Sequence, residues 1–269
     1  MTDIVRVMTS TLNPQSPSTT AITSRPSAVR RTAVAVTGFL ACTLPIVWTI
    51  SMARFLLTGE LSDHRFHQVT GQGLILCALW LASLVPLVRA GWAGRRPSPA
   101  AGLLHLTFVL SGAVCAVAAP QGGAPALMVV IGVTGALLWL AMPRRPHVLS
   151  VSGQVDPVLA PVALLTAAFY TPYVVEQIGL QHAAVGHHAM NPHFFDMAWL
   201  TLALTVLAVL AGTLPAARGV VWWTAGASVV IGAAGLAFGE PTPWSVLALA
   251  LGCLAGAAAL VRRSLDSRG

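Results

Sequence analysis

Apolar residues are gathered into eight runs, each near the roughly 20 residues that a helix needs to cross a bilayer. They cover residues 33–54, 68–88, 101–119, 125–142, 157–179, 195–214, 219–238 and 244–261. Ala, Leu and Val fill them without alternation. Lipid cannot satisfy an open backbone, so this pattern predicts helices rather than the strands of a barrel. The expected fold is an all-α polytopic membrane protein, a bundle of eight transmembrane helices. Residues 1–30, rich in Ser, Thr and Pro, show no apolar period and read as a disordered tail. Residues 31–263 form the membrane domain, and 264–269 read as a second short tail.

The polar positions between the runs are not symmetric. Thirteen of the 15 basic residues fall before the first run or after the second, fourth, sixth and eighth, and only Arg54 and Arg65 fall on the other side. Basic residues are retained on the cytoplasmic side of a membrane, so both termini are expected there. Trp92, Trp139, Trp222 and Trp223 then fall near the inner interface, and Trp199 and Trp244 near the outer one, where amphipathic rings collect.

The two halves of the chain correspond at fixed offsets. At 129 residues, His64, Phe66, Pro86 and Arg89 match His193, Phe195, Pro215 and Arg218, and at 118 residues Pro125, Arg144 and Arg145 match Pro243, Arg262 and Arg263. One reading is a pair of four-helix repeats, 31–147 and 155–263. With an even number of spans in each, such repeats are parallel and related by an axis along the membrane normal.

Composition agrees with a lipid environment. Hydrophobic residues make up 56% of the chain and charged residues 9%, and the mean hydropathy is +0.77. The net charge of +7 belongs to the arginines that orient the spans, so it does not point to nucleic acid. Every basic residue is arginine; with the abundant Ala, Gly and Pro this suggests a GC-rich bacterial gene and hence the cell membrane of a bacterium. The four cysteines each lie within an apolar run, without metal-site or redox spacing, and read as packing residues. No phosphate loop, nucleophile elbow or dinucleotide fingerprint is present; Gly71-x-Gly73 is only a fragment inside a span.

The chemistry lies in the histidines. Residues 181–196, QHAAVGHHAMNPHFFD, hold His182, His187, His188 and His193 with Asp196, and a shorter cluster, His64 and His67, opens the second span. The topology brings all six to the outer face, leaving His147 inside and His105 within the third span. On the second helix, capped by Ser62 or Asp63, His64, His67, Gln68 and Gly71 would share a face. On the sixth, Asn191 and Pro192 read as the cap and first helical position, with His193, Asp196 and Met197 on one face. Tyr170, Tyr173 and Glu176 follow at helical spacing on the fifth, and a carboxylate at membrane depth is a candidate functional group.

Neutral imidazole is the commonest metal ligand. His64, His67, Glu176, His182, His187, His188, His193 and Asp196 are therefore the expected ligand pool, for zinc, iron, copper or another first-row ion, or for a haem held between two histidines. The bland reading is that histidine is the polar residue left to loops that exclude arginine. Two other functions start from the same residues. A proton-coupled small-solute transporter would need polar groups through the midplane. An assembly factor that binds membrane-protein partners would need an exposed face of small residues.

Overall fold

Ser27 accepts the Arg30 N–H and opens the first helix, so the chain is already helical before its first apolar run begins. The structure, a computed structural model, describes residues 27–60, 64–148 and 152–268, with the side chain of His187 outside the description. Most of the tail expected over 1–30 lies outside it, as do the caps proposed at Ser62 and Asp63.

Eight helical spans follow. They are α1 (Ala28–Thr58), a broken second span of α2 (Arg65–Val69) and α3 (Leu74–Trp92), α4 (Pro99–Ala118), α5 (Ala124–Ala141) and α6 (Leu159–Ala183). A single turn, α7 (His187–Met190), precedes α8 (His193–Thr213); a 3-10 segment, Pro215–Val220, leads into α9 (Val221–Phe238), and α10 (Thr242–Asp266) closes the bundle. All eight are long and apolar enough to cross a bilayer. The protein is therefore an all-helical, multi-pass membrane protein. Helix α10 continues to Asp266, into what reads from sequence as a tail.

Within the first half α1 packs on α3 and α5, and α4 packs on the same two; within the second, α6 packs on α8 and α10, and α9 on the same two. Each half is thus a ring of four. The halves meet where α4 lies on α8 and where α9 lies on α2 and α3. At the 129-residue offset these two contacts fall on corresponding helices of the two halves.

Helix α8 is the centre of this arrangement and is buried along most of its length. Trp199 is accordingly a core residue, 1% exposed, rather than an interfacial ring. Its Nε1–H donates to the Phe108 carbonyl at 2.8 Å, and its ring packs at 4.5 Å on Phe108. Trp244 is also drawn inward, against Tyr173 and Phe169. Trp92, Trp222 and Trp223 stay exposed, as amphipathic rings at an interface do.

The two ends of the bundle differ in chemistry. At one, Asp156 lies 2.9 Å from Arg218 and 3.1 Å from Arg262, and the Arg31 guanidinium sits 4.6 Å over the Trp92 ring. Those contacts join the segment before α6, the link before α9, the end of α10, the start of α1 and the end of α3, as eight alternating spans require. The opposite end carries the histidines.

Candidate functional site

The site begins with a helix that fails to continue. Between α2 and α3 the backbone of Thr70–Gly73 leaves the helical path. A Cβ on Gly73 would fall 1.4 Å from the Gln68 carbonyl oxygen, and one on Gly71 would meet Met197 at 2.6 Å, so both positions require glycine. The offset counterparts in α8 are Leu200 and Leu202, and α8 runs unbroken. The fragment Gly71-x-Gly73, unremarkable as sequence, is thus what ends the stripe expected from His64 to Gly71.

Groups freed by a break within a membrane must find partners in the protein. Here the Gln72 carbonyl accepts from Trp48 Nε1 at 2.8 Å, and the Gly71 N–H donates to Met197 Sδ at 3.2 Å. Gln72 Nε2 donates to Asn191 Oδ1 at 2.5 Å, tying the break to the loop ahead of α8. The short α2 is held in this way against the start of α8.

Gln181, fully buried at the end of α6, fixes the other side. Its Nε2 donates to the His188 carbonyl and its Oε1 accepts the Phe195 N–H, both at 3.2 Å. The second bond satisfies a first-turn donor of α8 that the helix itself leaves open. Pro192 is the cap residue and His193 the first helical residue, one position later than the sequence reading.

The result is four imidazoles in contact. The His193 ring, 2% exposed, has its centroid 5.2 Å from His64, 5.0 Å from His67 and 4.8 Å from His188. His188 Nδ1 and His193 Nε2 are 2.8 Å apart. His67 Nδ1 is buried and has no hydrogen-bond partner among the described residues. A metal 2.0–2.1 Å from an imidazole nitrogen stands about 3.2 Å from the ring centre, so tetrahedral ligation puts ring centres roughly 5 Å apart. The spacing around His193 is of that order. The ring directions are not, since among the described residues no three His, Cys, Asp or Glu side chains present their donor atoms as a metal ion would need.

The remaining expected ligands are placed elsewhere. His182 spends both ring nitrogens, Nδ1 on Gln121 at 3.1 Å and Nε2 on the Ala118 carbonyl, and so ties the end of α6 to the link after α4. Glu176 is exposed on α6. Tyr170 donates to Ser228 at 2.9 Å and Tyr173 packs on Trp244, so the two tyrosines bind the second half together. Asp196 is buried, 3% exposed, but lines a separate small cavity with Gln72, Trp48 and Cys77 that has room for about one water. Trp80, Phe108 and Trp199 pack as an aromatic plug next to it.

Comparison with protein-family models, with characterised proteins and with solved structures gives no match. The geometry of the histidine end is therefore the ground on which function is read.

Proposed function

We propose that this membrane protein binds a first-row transition-metal ion at the outer face of a bacterial cell membrane, through His64, His67, His188 and His193. The observation that carries the reading is the position of His193, within 4.8 to 5.2 Å, centre to centre, of three other imidazoles, two of them, His64 and His67, from a distant part of the chain and the third, His188, from the turn just ahead of it. Packing four imidazoles at a membrane surface for stability alone has little to recommend it, since each could be an apolar ring at lower desolvation cost. Modest rotation of rings already at ligand spacing would turn their nitrogens to one point.

The donor set is all nitrogen, which suits zinc, copper(II), nickel or iron(II). The carboxylates Glu176 and Asp196 are left out of it. A haem between two of these histidines is a poorer fit, because the space a macrocycle needs is filled by the other rings. The outward direction rests on the positive-inside rule, which assigns the arginine-bearing end to the cytoplasm. A through-membrane pathway is disfavoured by the Trp80, Phe108 and Trp199 plug, so the protein would hold or hand over its metal at the surface.

The test is metal analysis of the full-length protein after equilibration with zinc or copper(II) and removal of excess. Wild type should retain about one ion per chain, and His193→Ala should retain none, because every other imidazole is grouped around it. His182→Ala should bind as wild type does. Equal retention by wild type and His193→Ala would overturn the assignment.

A further inference from the structure

A second polar constellation lies deep in the first half, on the wall formed by α4 and α5. His105, 3% exposed, stands on α4 beside Ser83 of α3. Ser83 gives its one hydroxyl proton to the Trp80 carbonyl at 2.7 Å. Its oxygen is then the acceptor for His105 Nδ1, 3.3 Å away, so the proton of the neutral imidazole is on Nδ1 and the lone pair is on Nε2. Nε2 has no hydrogen-bond partner among the described residues. It faces α5 at Gly135, where a Cβ would come within 2.7 Å of it.

The absence of that Cβ opens a groove. Gly132, Gly135 and Ala136 leave α5 flat, and with Leu106 and Val109 of α4 they line an open groove of about 380 Å³, nearly all apolar, on the outer surface of the bundle. Trp139 closes one side, its ring 6.3 Å from that of His105 and inclined to it by 29°. Trp139 Nε1–H is a buried donor with no partner among the described residues. Arg145 marks the arginine-bearing end of the groove. The unused acceptor of His105 thus lies at an apolar groove at membrane depth, and leaving it unsatisfied there is costly.

We propose that this groove binds a flat, lipid-soluble hydroquinone, with one ring hydroxyl donating to His105 Nε2. The occupant must reach the site through lipid, which requires an apolar body. It must carry a donor below the headgroup layer, which disfavours a phospholipid, whose ammonium or hydroxyl donors stay at the surface and whose ester oxygens only accept. A glycine floor beside the stacked His105 and Trp139 rings favours a planar ring, and a phenolic O–H is a stronger donor to imidazole than an alkyl hydroxyl. This site is independent of the histidine end and shares no residue with it.

The experiment compares a decyl-substituted 1,4-benzoquinol, kept reduced, with its bis-methyl ether, which has the same ring and tail but no O–H. Binding is measured on the full-length protein in lipid nanodiscs against empty discs. Wild type should bind the quinol about tenfold or more tightly than the ether, the order expected for one buried hydrogen bond. His105→Phe and Gly135→Ala should erase that preference, whereas Gly226→Ala, with open space around its Cβ, should keep it. The ligand pair on wild type decides the matter without any variant: equal binding of quinol and ether overturns the proposal, as does a preference that survives His105→Phe.

Discussion

His188 Nδ1 lies 2.8 Å from His193 Nε2, an imidazole-to-imidazole hydrogen bond that joins α7 to the first residue of α8. Two lone pairs would repel at that distance, so one of the two nitrogens carries the proton that points at the other. A metal that takes both must displace it. Ligation also needs each ring to be neutral, so metal affinity is expected to fall as the pH is lowered and the imidazoles gain protons. Zinc titrations from about pH 8 to about pH 5 read this directly, and an affinity that stays level across that range counts against imidazole ligation.

Gln181 touches no proposed donor nitrogen, yet it holds the His188 carbonyl and the Phe195 N–H at once. Gln181→Leu keeps the bulk and loses both bonds, so the loop and the start of α8 lose their common anchor. The expected effect is a ten- to hundred-fold loss of metal affinity, the range seen when outer supports of metal ligands are removed. Gln181→Glu, which keeps an acceptor for Phe195, should recover part of it. A general loss of fold would instead lower the unfolding temperature of both variants alike, with no difference between them in affinity.

All eight spans could be seen in the sequence, because hydropathy summed over about 20 residues outweighs any single position. Their ends could not: α1 runs from Ala28 to Thr58, well beyond its apolar core, since a helix continues into the headgroup region while arginines such as Arg30 and Arg54 reach water. His64, His67, His188 and His193 could be grouped because span parity puts them at one end. Parity says nothing about facing direction, and α6 is apolar on nearly every side, so Glu176 and His182 could not be told from ligands by spacing. The break at Thr70–Gly73 depends on Met197, 126 residues from Gly71, and His105 depends on Ser83, Gly135 and Trp139 from three other helical positions. Such groupings exist only after the helices have packed.

Gly73→Ala should be among the most damaging single substitutions in the chain. Its Cβ would overlap the Gln68 carbonyl at 1.4 Å, and backbone, unlike a flexible side chain, cannot swing aside. The chain must then either continue the helix, which turns His64 and His67 away from His193, or shift α2 bodily. A loss of about 3 kcal/mol or more is expected, together with loss of bound metal. Gly132→Ala, where the new methyl meets nothing within 4 Å, is the matched control and should unfold as wild type does. Thermal unfolding of the purified chain compares them, and a Gly73→Ala protein as stable as the control would mean that the break is not enforced by sterics.

At the other end Asp156 does two tasks with its two oxygens. Oδ1 accepts the N–H groups of Val158 and Leu159 at 3.0 and 3.1 Å, satisfying donors at the start of α6. Oδ2 sits between the Nε atoms of Arg218 and Arg262, at 2.9 and 3.1 Å, contacts of charge rather than straight hydrogen bonds. Asp266 bears on the same arginines, at 2.6 Å from Arg262 and 3.7 Å from Arg218. Asp156 itself is 1% exposed, whereas the two arginine side chains are 22% and 21% exposed. Asp156→Asn preserves the shape and an oxygen for the capping bonds but leaves two guanidinium groups facing each other. Breaking a fully buried pair costs about 3–5 kcal/mol, and partial access of water to the arginines lowers the expectation here to about 1–3. Asp156→Ala loses the cap as well, by about 1 kcal/mol more. Stability should therefore fall in the order wild type, Asp156→Asn, Asp156→Ala, while Glu60→Gln, at the exposed pair with Arg54, stays close to wild type. Because this network lies at the end away from the histidines, metal retention at permissive temperature should be the same in all four proteins; a variant that loses metal without losing stability would show that the two ends are coupled through α8.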